Sequence, residues 1–117
     1  GACQPSWSPD GRQLVFISPC LRHQEVYPIS SLFILNLEDG ELTPLPTLLG
    51  GDYDPAWSPD GARIAFTSLR KDNRPQVYLL NLVDLSVELL TNSFWRDFQP
   101  AWSPDGSQLA FVSTRRG

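Results

Sequence analysis

One seven-residue motif occurs three times in this chain of 117 residues and constrains its fold more than any other feature. The copies read Pro-Ser-Trp-Ser-Pro-Asp-Gly at 5–11 and Pro-Ala-Trp-Ser-Pro-Asp-Gly at both 55–61 and 100–106. An apolar segment with strand character follows each copy, at 14–18, 64–68 and 109–113. Self-similarity at a period of about 20–50 residues is typical of repeat architectures. The sequence therefore predicts a fold built from one recurring unit.

The spacing of the motif locates one insertion. The second copy begins 50 residues after the first, and the third begins 45 residues after the second. Leu-Asn-Leu at 35–37 matches Leu-Asn-Leu at 80–82, so the extra residues lie between Ser18 and Leu35, around 20–25. We expect a lengthened loop there, and a framework that is otherwise the same in each unit.

Each unit predicts four short strands, A to D. Strand A is the approach to the tryptophan, strand B is the apolar segment, strand C covers 31–37 or 76–82, and strand D covers 41–45 or 87–91. Ser-Pro-Asp-Gly between A and B predicts a turn, because Pro presets φ and Gly accepts the left-handed conformation. The motif residues with this predicted structural role are Trp7, Asp10, Gly11, Trp57, Asp60, Gly61, Trp102, Asp105 and Gly106.

Strand B is apolar on both faces, which favours sheets stacked against similar sheets. No window shows a helical period, and the chain is 41% hydrophobic, enough for a packed core. Four-stranded antiparallel units of about 40–50 residues are typical of β-propeller blades, between which the three tryptophans would fill the space. The fold class is therefore all-β, with blades at about 2–48 and 52–92 and a half blade at about 97–115, in one partial propeller over 1–117. Propellers close with about 4–8 blades, so one chain cannot form a closed ring.

The motif also resembles the TolB-type propeller repeat, a relative of the tryptophan–aspartate repeats. The resemblance rests on the pattern D-x-x-P-x-W-S-P-D-G followed by an apolar segment that contains Ala-Phe. Asp52 and Asp97 match its first position, whereas the first unit departs from it with Ala2. Such repeats occur in periplasmic transport partners and in peptidase-associated propellers, so the resemblance implies the propeller fold and not one function, and it favours an exported location.

Several function classes are disfavoured by composition. The net charge of −4 argues against a nucleic-acid partner, which needs clustered Lys and Arg. No apolar run approaches the roughly 20 residues of a membrane helix, so we expect no membrane insertion. No motif serine has a G-x-S-x-G setting, and His23 with two cysteines makes a poor zinc site, so we expect no catalytic residue, cofactor or metal.

Two groups of residues are candidates for binding. The polar side chains Asp52, Asp54, Asp97 and Gln99 are expected to precede strand A, the innermost strand of a blade. A ring of them at the mouth of the central channel would hold a cation or a basic peptide end. Alternatively, Asp52 and Asp97 accept backbone hydrogen bonds that fix the entry loop. The second group is the aromatic cluster Phe94, Trp95 and Phe98 with Arg96 in the loop between strands D and A, a composition typical of interface hot spots. Trp95 equally fits a side chain packed over the bottom of a blade.

Cys3 and Cys20 flank the first A–B hairpin. Their register permits a disulfide and equally permits two buried thiols. A bond would favour an exported protein.

These observations predict a non-catalytic binding module, not an enzyme. It would present loops and the channel mouth to a protein or peptide partner, and would complete its fold by association with further blades. One alternative is an accessory gating propeller of a serine peptidase whose catalytic domain lies outside these residues. Another is a self-assembling repeat fragment that forms homo-oligomers. Because methionine is absent, we expect a processed product or a piece of a longer chain.

Overall fold

The computed structural model describes residues 1–20, 22, 24, 26–46 and 51–115. In this part of the chain ten strands form three antiparallel sheets, ordered β1-β2-β3-β4, β5-β6-β7-β8 and β9-β10. The strands are β1 (Cys3–Trp7), β2 (Gln13–Ser18), β3 (Ser31–Asn36), β4 (Leu42–Pro44), β5 (Asp52–Trp57), β6 (Arg63–Ser68), β7 (Gln76–Asn81), β8 (Val87–Leu89), β9 (Asp97–Trp102) and β10 (Leu109–Ser113). The predicted fold class, two four-stranded blades and a half blade without a closed ring, is confirmed.

The same turn joins the first two strands of every sheet. The aspartate accepts a hydrogen bond from the motif serine hydroxyl, at 2.6 Å in the first two turns and 2.8 Å in the third. The serine oxygen in turn accepts a backbone N–H at or just before the start of the next strand, at 3.0 Å in each case. The motif glycines have φ between +72° and +76°, a conformation that favours glycine. One short sequence thus builds three equal hairpin turns.

The core lies between successive sheets. Val15 and Ile17 of β2 are fully buried, and they belong to one apolar cluster with Ile64 and Phe66 of the second sheet. Strand β5 packs on the first sheet, and β9 packs on the second. Both faces of the second sheet are therefore covered, as the apolar alternation of strand B predicts.

The three motif tryptophans differ in burial although their sequences match. Trp57 is buried between the first and second sheets, and the Trp102 indole donates to the Ala56 carbonyl at 2.9 Å. Trp7 instead is 59% exposed, which differs from the expectation that all three fill space between blades. The reason is positional, because each tryptophan faces the preceding sheet. In the described part of the chain no sheet lies on that side of the first one.

Candidate functional site

Every binding candidate from the sequence lies towards one edge of the sheets, which we call the loop face. At this edge β1, β5 and β9 begin and β2, β6 and β10 end, whereas the Ser-Pro-Asp-Gly turns form the opposite edge, the turn face. Asp52 and Asp97 are the first residues of β5 and β9, and Trp95 lies just before β9. Asp54 and Gln99 lie two residues further along the same strands, so these four polar residues belong to the inner strands and do not precede them.

Asp52 forms a buried ion pair with Arg70. The carboxylate is 1% exposed, and its Oδ2 lies 3.0 Å from an Arg70 guanidinium nitrogen. Arg70 also donates through Nε to the Ser68 hydroxyl at 3.0 Å, and its guanidinium lies over the Phe66 and Tyr78 rings. Burial raises the pKa of Asp52, while hydrogen bonding to Ser68 and the charge of Arg70 oppose that shift. The partner of Asp52 is thus a side chain two residues beyond β6.

Asp97 repeats this arrangement in the half blade. Its Oδ2 lies 3.0 Å from an Arg115 guanidinium nitrogen and accepts the Ser93 hydroxyl at 2.8 Å. Burial alone would raise the pKa of Asp97, but hydrogen bonds from Ser113, Ser93 and Arg115 together lower it. Here too side-chain groups, and not the backbone donors that the sequence suggested, hold the carboxylate. A binding role for Asp52 and Asp97 stays a prediction.

A disulfide occupies the corresponding place in the first sheet. Ala2 and Cys20 stand where the other sheets carry the aspartate and the arginine, and Cys20 is bonded to Cys3 with a Cα–Cα distance of 6.0 Å. Of the two alternatives that the sequence left open, the structure therefore has the disulfide. At the loop face each sheet thus has a side-chain link between its first strand and the residue two positions after its second strand, a disulfide in the first sheet and an ion pair in the other two.

Asp54 joins neighbouring sheets. Gln4, Asp54 and Gln99 have φ between +52° and +56°, and β1, β5 and β9 change register around them. The Gln4 amide donates to Asp54 Oδ1 at 2.8 Å, and the Thr67 hydroxyl donates to Asp54 Oδ2 at 3.2 Å while accepting the Gln99 N–H at 3.0 Å. Burial raises the pKa of Asp54 and these hydrogen bonds oppose it. The chain of bonds ties three inner strands together, and a binding role for Asp54 and Gln99 stays a prediction.

The segment before β9 presents two aromatic side chains to solvent. Phe94 is 90% exposed and Trp95 is 43% exposed. The buried Gln76 holds the backbone of this segment, because its side-chain amide donates to the carbonyls of Ser93 and Trp95 at 3.1 and 2.9 Å. The Ser93 hydroxyl also accepts the Trp95 N–H at 3.2 Å. We call Phe94 and Trp95 the aromatic pair; sequence reasoning named it but not the buried glutamine that fixes it.

Two other expectations concern ions and membranes. His23 lies outside the described residues. Among the residues that are described, no three His, Cys, Asp or Glu side chains are grouped closely enough to hold a metal ion. Over the same residues, no helix has the length and apolar character needed to cross a membrane.

One protein family and several solved structures are similar to this chain. The TolB β-propeller domain family matches residues 2–117. A solved structure assigned as TolB from Agrobacterium tumefaciens is 30% identical and aligns over 97% of this chain with a TM-score of 0.80. TolB from Acinetobacter baumannii is 25% identical over 93% of the chain, with a TM-score of 0.78.

A more distant likeness shows the fold alone. An acylaminoacyl peptidase from Pyrococcus horikoshii is 21% identical over 92% of the chain, with a TM-score of 0.65. The chain spans 38% and 26% of the two TolB proteins and 16% of the peptidase. No curated protein sequence matches it significantly.

Proposed function

Since the chain belongs to the TolB β-propeller domain family, we propose that it is a non-catalytic binding module whose loop face receives a protein or peptide partner. The family resemblance drawn from the repeat motif is confirmed by that membership. The alternative of a gating propeller beside a peptidase domain is supported by likeness of fold only.

The aromatic pair is the observation that carries the proposal. Aromatic side chains beside arginine dominate the binding energy of many interfaces, and here Phe94 and Trp95 are followed directly by Arg96. Because the Phe94 ring is 90% exposed, it buries little apolar area in the free protein and adds little to its stability. Because Gln76 already fixes the backbone beneath the ring, ordering of this segment costs little free energy when a partner binds. An exposed, preorganised aromatic pair is what a binding platform requires.

Selection from a displayed peptide library tests this proposal. Peptides enriched on the wild-type chain are measured against Phe94→Ala/Trp95→Ala and against Val83→Ala. The control residue is 86% exposed and lies between β7 and β8 at the turn face, so it matches the exposure but not the location. We expect at least about tenfold weaker binding to the double variant and unchanged binding to the control. Failure to enrich any peptide, or equal binding to all three proteins, would contradict the proposal.

A second role, association with further blades, is favoured by the uncovered face of the first sheet. An apolar groove there is lined by Ala2, Cys3, Pro5, Leu14, Phe16 and Leu35. In the second sheet the residues equivalent to Leu14 and Phe16, namely Ile64 and Phe66, are buried against the first sheet. Stacked repeats bury such faces against neighbours, so we infer that another blade, from a further copy or a longer chain, covers this one.

Light scattering over a range of concentrations tests association of the isolated chain with itself. We expect the mass to rise with concentration in the wild type and to rise less in Trp7→Ser, because Trp7 lies on the uncovered face. Val83→Ser, on the turn face, should behave as the wild type. A monomeric mass at every concentration would contradict self-association.

A further inference from the structure

A small cavity opens on the loop face next to the aromatic pair. Its volume is about 120 Å³, and its lining residues are Val26, Tyr53, Pro75, Arg96, Phe98 and Thr114. They come from the β2–β3 connection, the second sheet and the half blade, so the cavity lies where three parts of the fold meet. An engineered cavity of about 150 Å³ binds benzene, so a space of this size suits a small chemical group but not a whole cofactor.

Each polar side chain that lines the cavity can donate a hydrogen bond to a ligand. Tyr53 is fully buried, and its hydroxyl has no hydrogen-bond partner among the described residues. Burial and the charge of Asp54 raise the pKa of the Tyr53 phenol, against the effect of Arg96, so the phenol keeps its proton. The Thr114 hydroxyl accepts the Arg96 N–H at 3.0 Å, which leaves its own hydrogen to donate. Arg96 adds a guanidinium, which donates and never accepts.

This combination of donors and apolar walls indicates an anion on an apolar body. A buried hydroxyl without a partner is costly, and a ligand that accepts its hydrogen removes that cost. We propose that the cavity binds a carboxylate group, held by the Arg96 guanidinium and the Tyr53 hydroxyl, with Val26, Pro75 and Phe98 around the attached carbon chain. The inference rests on the proposed function, because it makes this cavity the polar anchor beside the aromatic pair for a peptide partner.

A single carboxylate fits the charge and the size better than a phosphate does. Arg96 supplies one positive charge in a planar fork that matches a carboxylate. Three other arginines near this edge already have partners: Arg70 and Arg115 pair with Asp52 and Asp97, and Arg74 donates to the Ser93 carbonyl at 3.4 Å. Among the described residues that line the cavity, a phosphate with up to two negative charges would meet one cation, Arg96, and three apolar side chains.

Titration of the full chain with propionate and with its neutral isostere propionamide, followed by NMR, tests the proposal. We expect saturable binding of propionate only, about tenfold or more weaker in Arg96→Gln and several-fold weaker in Tyr53→Phe. Tyr53→Phe removes a hydroxyl that bonds to no described residue, so the fold is retained. The matched controls are Arg12→Gln on the turn face and Tyr78→Phe in the second sheet, and both should bind as the wild type does. Equal binding of propionamide or inorganic phosphate, or an unchanged affinity in Tyr53→Phe, would overturn the inference.

Two sources of the carboxylate are separated by short peptides. N-acetyl-Ala-Ala offers a terminal carboxylate, its C-terminal amide offers none, and amidated N-acetyl-Ala-Glu-Ala offers one side chain. Competition with propionate by the first or the third peptide supports the inference and identifies the source, whereas equal competition by the amide overturns it. Failure is distinguishable from failure of the proposed function. Selected peptides whose binding depends on Phe94 but not on Arg96 or Tyr53 would contradict the carboxylate site and leave the proposed function intact. Propionate binding in a protein for which no peptide can be selected would support the site and contradict the proposed function.

Discussion

The turn face and the loop face of the same sheets differ in how far they repeat from one sheet to the next. At the turn face three copies of Ser-Pro-Asp-Gly make the same hydrogen bonds within about 0.2 Å of one another. At the loop face the equivalent positions hold a disulfide in one sheet and ion pairs in the other two, and the aromatic pair and the small cavity lie there as well. A repeat protein that keeps one edge constant and varies the other separates scaffold from function. Variants at the two edges should therefore differ in their effects.

The largest expected effect concerns the ion pairs of the two edges. Arg70→Ala leaves the Asp52 carboxylate buried without its cation, and we expect the free energy of unfolding to fall by about 3 kcal/mol. On the turn face Arg12 pairs with Glu38 at 3.4 Å, but both side chains are about two-thirds exposed. Arg12→Ala should therefore change stability by less than about 0.5 kcal/mol. Urea denaturation measures both, and equal losses would erase the contrast.

Replacing the disulfide tests whether the two loop-face connections are equivalent. Cys3→Ala/Cys20→Ala removes a link between residues 17 apart, and we expect a loss of about 3 kcal/mol. The variant Ala2→Asp/Cys3→Tyr/Cys20→Arg introduces the ion pair of the second sheet instead. Its arginine would lie on two stacked rings, because Phe16 and Phe33 stack at 5.9 Å as Phe66 and Tyr78 do at 5.8 Å.

We expect this grafted variant to be more stable in thermal and urea unfolding than the double alanine variant. Wild-type chain under reducing conditions is the control for loss of the bond alone. A graft no more stable than the alanine pair would show that the disulfide and the ion pair are not interchangeable at this position.

A smaller effect is expected from the turn itself. The Ser58 hydroxyl is buried, donates to Asp60 at 2.6 Å and accepts the Arg63 N–H at 3.0 Å. Ser58→Ala should lower the free energy of unfolding by about 1–2 kcal/mol, because a backbone donor loses its partner. Ser103→Ala, in the less covered third turn, should cost less. Urea midpoints compare the two, and the reverse order would contradict the assignment by burial.

The smallest effect is a pair of opposite pH dependences. The pKa of Asp54 is raised above 3.8, so its proton stabilises the fold at lower pH, and this contribution is lost as pH rises through the folded-state pKa. Hydrogen bonds from Ser107 and Ser103 lower the pKa of Asp105 to about 2, so its contribution is present above 3.8 and is lost as pH falls towards 2. In urea unfolding at several pH values, Asp54→Asn should gain stability relative to wild type as pH rises, and Asp105→Asn should gain as pH falls. Parallel changes would contradict the assigned causes.

Much of the framework follows from the sequence, and the repeat explains why. The turn residues, the four-strand order and the place of the insertion are local or periodic properties, and strands C and D differ from the structure by only one or two residues at their ends. The roles of Arg70 and Arg115 could also have been predicted, because each arginine lies two residues after the serine that ends strand B in its unit. Comparing these positions between units would have paired them with Asp52 and Asp97.

The features that the sequence did not predict depend on contacts between neighbouring sheets, which the repeat motif does not specify. Trp7 has the same local sequence as Trp57 and differs only in the sheet that lies against it. The left-handed backbone at Gln4 and Gln99 is uncommon for residues other than glycine, and it is supported by hydrogen bonds that these residues donate to the second sheet. Such contacts between blades, and the cavity between three parts of the chain, arise only once the sheets are stacked.

Hydrogen–deuterium exchange on the chain with a library-selected peptide tests most directly where the partner binds. We expect protection of amides in residues 93–98 at the loop face and unchanged exchange in residues 58–63 at the turn face. Protection confined to the turn face, or spread evenly over both edges, would contradict the separation of scaffold from binding surface.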